Sequence, residues 1–161
     1  MTATDAPPAV RAFAYLLRAQ AVTTRRLSAE LDAGYGLTIN DYEALLVLSS
    51  APDQRLKRVE LARRLLLTPS GVTRLLEGLE RAGLVERTAC PSDLRVAYAQ
   101  LTDRGRDTLA AASCGHVSSV RGLFEEHLSD SEVEQLTELL GRLPGVAHGE
   151  DACASLETPE R

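Results

Sequence analysis

A helix-start signal at Thr68-Pro69-Ser70, a leucine-rich segment just before it and an alternating, arginine-bearing hairpin just after it predict how this chain folds. The expectation is a mostly α-helical protein with a small β wing: a winged helix-turn-helix whose N- and C-terminal helices form a dimerisation region. The Thr68 hydroxyl can accept from free backbone N–H groups, and Pro69 suits the first helical position, where no amide partner is needed. Such a capped end can enter a major groove and read bases.

The elements follow in order. Pro7-Pro8 closes a short lead, after which Val10, Phe13, Leu16, Leu17, Leu27 and Leu31 recur at near-helical spacing until Gly34 and Gly36, predicting one long helix. Thr38 with Asp41 three residues on reads as a capping pair, and Tyr42, Leu45, Leu46 and Leu48 follow as a buried face before Pro52-Asp53 breaks the helix. Arg58 to Leu66 reads as the first helix of the helix-turn-helix, with Ala62 small enough for close approach and Arg63 and Arg64 facing solvent or phosphate.

In the second helix of the motif, Val72, Leu75, Leu76 and Leu79 form the packing stripe, and Ser70, Thr73 and Arg74 point away from it. Arginine can contact guanine bidentately, while Ser and Thr can hydrogen-bond several base edges or a phosphate. Taken alone, the same helix is equally an ordinary capped surface helix with one solvated arginine.

Gly83 then supplies a helix stop, and Leu84, Val85, Arg87 and Val96 to Leu101 alternate as two short strands around a Cys90-Pro91-Ser92-Asp93 turn. Arg87 joins the candidate DNA contacts. Asp93 can hold Arg95 in one orientation through a charge-assisted hydrogen bond, fitting it to a narrow minor groove. The alternative is a surface ion pair worth little.

Thr102 is a plausible cap for another long helix carrying Leu109, Val117, Val120 and Leu123. Ser129 with Glu132 forms a capping box before a last stripe of Val133, Leu136, Leu139, Leu140 and Leu143. The expected organisation places dimerisation helices at 9–34 and 107–143, a winged helix-turn-helix DNA-binding domain at 37–106 and mobile termini at 1–8 and 145–161. A two-fold dimer would present two recognition helices to adjacent major grooves.

On these residues, and most specifically from Leu61 to Gly105, the chain resembles the MarR family of bacterial transcriptional regulators; the likeness runs from roughly Ala9 to Leu143. The resemblance implies a homodimer with interleaved first and last helices, binding a pseudo-palindromic operator in double-stranded DNA. Ser70, Thr73 and Arg74 match the recognition-helix contacts, and Asp93 with Arg95 matches the wing's Asp-x-Arg. Leu94 departs from the pattern, since many members carry another arginine there. The family also implies a small-molecule effector, often an aromatic acid, between the dimer body and the winged domain. Phe13, Tyr15, Tyr42 and His116 are the candidates for lining such a pocket, although aromatic residues at helical spacing also serve as plain core.

The expected function is a sequence-specific DNA-binding transcriptional regulator, a repressor released by a small ligand. A thiol-based redox sensor using Cys90 is one alternative. A winged helix serving only as a protein-interaction module, without DNA contact, is the other.

Composition agrees with a compact protein: 161 residues are 44% hydrophobic, and the net charge is −5. The charge is segregated. Arg55 to Arg106 holds eleven Lys or Arg against six acids, a local +5, whereas Glu125 to Arg161 holds ten acids against two Arg, a local −8. No run approaches the roughly 18 apolar residues of a membrane helix, and the N-terminus lacks a signal-peptide pattern, so no membrane partner and a cytoplasmic location are expected. Cys90, Cys114 and Cys153 have neither disulfide-framework nor metal-ligand spacing. His116 and His127 lie roughly three helical turns apart, too far to share one metal. No phosphate loop or nucleophile elbow is present, so neither cofactor nor enzyme activity is expected.

Overall fold

The computed structural model describes residues 6–90 and 93–146, with side chains described for 6–89 and 97–146. The element order is α1 (Pro8–Tyr35), α2 (Ile39–Ser49), a short 3-10 turn (Pro52–Gln54), β1 (Arg55–Lys57), α3 (Arg58–Arg64) and α4 (Pro69–Arg81). There follow β2 (Val85–Cys90), β3 (Asp93–Leu101), α5 (Asp103–Glu125) and α6 (Asp130–Gly141).

Local chemistry accounts for most boundaries. At α2, Asp41 N donates to Thr38 Oγ1 at 3.2 Å and Thr38 N donates to Asp41 Oδ2 at 2.9 Å, a complete capping box. Ser129 and Glu132 start α6 in the same reciprocal way. The core centres on α2, where Tyr42, Leu45 and Leu48 are almost fully enclosed. Around it pack Leu61 of α3, Leu76 and Leu79 of α4, Leu101 of β3 and Leu109 of α5.

Two features differ from the sequence expectation, and a third bears on the expected dimerisation region. The wing sheet has three antiparallel strands in the order β1-β3-β2, because Arg55, Leu56 and Lys57 pair with Gln100, Ala99 and Tyr98. Helix α3 ends at Arg64 rather than Leu66, because Leu66 adopts a left-handed φ of 53°. The expected stripe on α1 buries only Leu31 within the chain, and α6 buries nothing. Phe13, Leu17 and Leu139 are each more than half exposed.

A single junction ties α4 to the sheet and to α5. Gly83 turns the chain at φ +70°, a conformation that costs a side chain energy and glycine little. The Thr102 hydroxyl donates to Gly83 O at 2.8 Å and accepts from Gly105 N at 3.0 Å, while Thr102 N donates to Leu84 O at 3.1 Å. The start of α5 is thereby fixed to the end of α4. Helix α5 continues for 23 residues, about 35 Å at 1.5 Å per residue, to pack along α1.

Candidate nucleic-acid interface

Helix α4 is fixed from one side and open on the other. Val72, Leu76 and Leu79 are buried against the core, whereas Ser70 and Arg74 are exposed. At its start Gly71 N donates to Thr68 Oγ1 at 3.1 Å, and Ser70 Oγ lies 3.2 Å from the same oxygen. The capped first turn presents Ser70 with Arg74 one turn later, a short hydroxyl and a long guanidinium side by side. Arg74 has no carboxylate partner among the described residues.

Thr73 is placed differently from the other two. It is half-buried, its hydroxyl donates to Pro69 O at 2.8 Å, and the Arg58 guanidinium donates to the same hydroxyl oxygen. The expectation that Thr73 simply points outward beside Ser70 and Arg74 is therefore corrected. Arg58, which sequence reasoning passed over, is brought to α4 by the tight turn between α3 and α4. No local pattern signals a contact across 15 residues.

The other basic candidates divide. Arg63 is exposed, while Arg64 pairs with Glu60 at 3.1 Å along α3. Arg87 is exposed on β2 opposite Ala99. The backbone of β3 begins at Asp93, where it pairs with Cys90 beside an irregularity in register, but the side chains of Asp93 and Arg95 lie outside the described residues. So does that of Cys90. Arg55 at the sheet edge is occupied, pairing with Asp53 at 3.1 Å and lying 5.3 Å from the Tyr98 ring centre.

A second cluster lies where α1, α2 and α5 meet. The Tyr42 and His116 rings are 4.4 Å apart at 49°, and Tyr42 Oη donates to Ser113 Oγ at 3.2 Å. Burial pushes the His116 pKa down, against an upward pull from the Glu30 carboxylate. Burial also raises the Tyr42 phenol, and the Ser113 hydrogen bond opposes it. Hydrogen bonds from Ser119 and then Arg26 hold Glu30 below the usual carboxylate range. Beside these groups is a cavity of about 100 Å³ lined by Glu30, Leu31, Tyr35, Gly115, His116 and Ser119.

Of the four residues expected at a ligand pocket, the fold brings Tyr42 and His116 together. Phe13 and Tyr15 are not with them; they stand 59% and 70% exposed on the outer part of α1. Among the described residues no group of three or more His, Cys, Asp or Glu converges to hold a metal ion, and no helix is long and apolar enough to cross a membrane.

Comparison with known proteins places this arrangement. The MarR family model matches residues 35–95. The transcriptional repressor YetL of Bacillus subtilis is 36% identical over 111 residues, 69% of this chain and 66% of the relative. The transcriptional repressor Rv2887 of Mycobacterium tuberculosis is 41% identical over 105 residues, 65% of this chain and 70% of the relative. Sco3205, a MarR family transcriptional regulator from Streptomyces coelicolor solved in complex with DNA, superposes with a TM-score of 0.75 at 30% identity, covering 84% of this chain and 88% of that one. On this likeness in sequence and in fold, the chain belongs to the MarR family of transcriptional regulators.

Proposed function

We propose that the chain acts as a cytoplasmic homodimer that binds a pseudo-palindromic operator in double-stranded DNA and represses transcription until a small molecule releases it. The observation that carries the DNA reading is α4 itself. Its apolar stripe is locked into the core, while Ser70 and Arg74 stand exposed at the capped end. That is the arrangement in which an arginine can discriminate a base pair. Arg63, Arg87 and the wing's Arg95 serve as backbone or minor-groove contacts in this reading. The repressor names of the mycobacterial and Bacillus relatives, and the DNA complex of Sco3205, support it.

Homodimerisation is supported by the uncovered apolar surface of the terminal helices, where Phe13, Leu17 and Leu139 are exposed and α6 buries no residue of its own. The Tyr42–His116 contact is the site at which an effector acts on the DNA-binding part. The cavity beside it, about 100 Å³ between α1 and α5, is below the roughly 300 Å³ of ordinary ligand pockets, so a larger ligand enters by parting those two helices. Because α5 is bonded through Thr102 to the end of α4, parting those helices changes the spacing of the two recognition helices. Ligand and operator then compete through their different preferences for the two spacings.

Selection of duplexes from a random pool tests the reading. Enrichment of a two-fold related sequence, with half-sites about 10 base pairs apart or a multiple of that, is expected. Recovery of no preferred duplex by the folded protein rejects it.

A further inference from the structure

We propose that Arg58 is a DNA-backbone contact of the recognition helix and that Thr73 is its anchor rather than a hydrogen-bond donor to bases or phosphates. This rests on the DNA reading above and adds a residue to it.

Hydrogen-bond capacity separates the two roles. A threonine hydroxyl has one hydrogen and two lone pairs. Thr73 gives its hydrogen to Pro69 O at 2.8 Å and accepts from Arg58 Nη2 with one lone pair. No donor is left. Phosphate oxygens and the N7 and O6 atoms of purines only accept, so in this arrangement Thr73 cannot bond any of them. Arg58 is the reverse case, because a guanidinium carries five donors and one here is used by Thr73. Arg58 is half-buried, and among the described residues no carboxylate pairs with it: Glu60, its neighbour on α3, is engaged by Arg64.

Among the described residues, then, the fold holds an oriented cation without a carboxylate partner beside the exposed first turns of α4. A phosphate satisfies both its charge and its remaining donors, since guanidinium and phosphate match in geometry. Thr73 fixes the plane of the guanidinium before DNA arrives, which limits the side-chain entropy lost on binding.

The test uses the full chain and the duplex enriched from the random pool, comparing the original protein with Arg58→Gln, Thr73→Val and Arg74→Ala. Arg58→Gln keeps a polar, uncharged side chain at the start of α3 but removes the charge. It should lower affinity about tenfold and reduce the slope of log affinity against log salt by about 0.9 for each phosphate no longer neutralised. Base preference and melting temperature should stay as in the original. Thr73→Val should weaken binding less and keep the full slope, because the cation remains. Arg74→Ala should instead relax base preference.

An Arg58→Gln protein that binds with unchanged slope, or whose base preference shifts, overturns the assignment while leaving the DNA reading intact. If the original protein enriches no duplex, the underlying reading fails instead. A drop in melting temperature with an unchanged slope makes Arg58 a structural staple and likewise overturns the proposal.

Discussion

Gly105 packs so closely on Leu84 that a Cβ added to it would lie 2.1 Å from the Leu84 carbonyl oxygen and 2.8 Å from Leu101 Cδ1. This contact lets the first turn of α5 settle against the turn at Gly83, where Thr102 joins α4 to α5. Because backbone rather than a flexible side chain would be struck, relaxation is costly. Gly105→Ala should destabilise the protein by about 3 kcal/mol, the upper part of the overpacking range, read from its urea midpoint. An unchanged midpoint would show that the junction is loose.

Leu66 presents the opposite case. It holds a φ of 53° between α3 and α4 yet is 87% exposed, so its side chain contributes little packing to offset the conformational cost. The left-handed region costs a side-chain-bearing residue about 1–2 kcal/mol, while glycine loses more entropy on folding. Leu66→Gly should therefore stabilise by about 0.5–1 kcal/mol. A lower thermal midpoint for the variant would contradict that balance.

The terminal helices give a test of assembly. Leu17 and Leu139 are 53% and 58% exposed in the single chain. Leu17→Glu combined with Leu139→Glu would place four buried carboxylates in a dimer interface, at a cost of several kcal/mol unless they are paired. Sedimentation should give twice the 17.4 kDa chain mass for the original protein and a shift towards that mass for the double variant. A monomeric original protein would remove the basis for two coordinated recognition helices.

Acid sensitivity should map to His116. Its pKa in the folded protein lies below the ordinary 6.5, with burial as the main cause and the Glu30 carboxylate opposing it. The unfolded chain therefore binds the proton more readily, so stability rises with pH through this window and is lost as pH falls below about 6.5 towards the folded value. His116→Gln cannot take up that proton. Between pH 7.5 and 5.5 the original protein should lose more of its thermal midpoint than the variant does. Equal losses would place the acid sensitivity elsewhere.

Features set by neighbours in sequence were legible beforehand, and features set by distant neighbours were not. The caps at Thr38, Thr68, Thr102 and Ser129 are read from three or four consecutive residues, because the bonds they make close within one turn. The buried face of α2 and the stripe of α4 follow from spacing alone. Strand β1 was missed because three residues, Arg55 to Lys57, are too few to show an alternation, and its pairing to β3 spans more than forty residues. The Arg58–Thr73 bond and the separation of Phe13 and Tyr15 from Tyr42 depend on how the helices cross. Periodicity within one helix carries no record of that.

The measurement that bears most directly on DNA reading is the affinity of the full chain for the enriched duplex across a range of salt, set against a scrambled duplex of equal length. Binding to both should weaken linearly on logarithmic axes, with a steep slope set by the number of phosphates contacted, while the enriched duplex stays at least about a thousandfold tighter. Arg74→Ala should close part of that gap, by about 1–3 kcal/mol. Equal affinity for the two duplexes, or binding indifferent to salt, would contradict a sequence-reading α4.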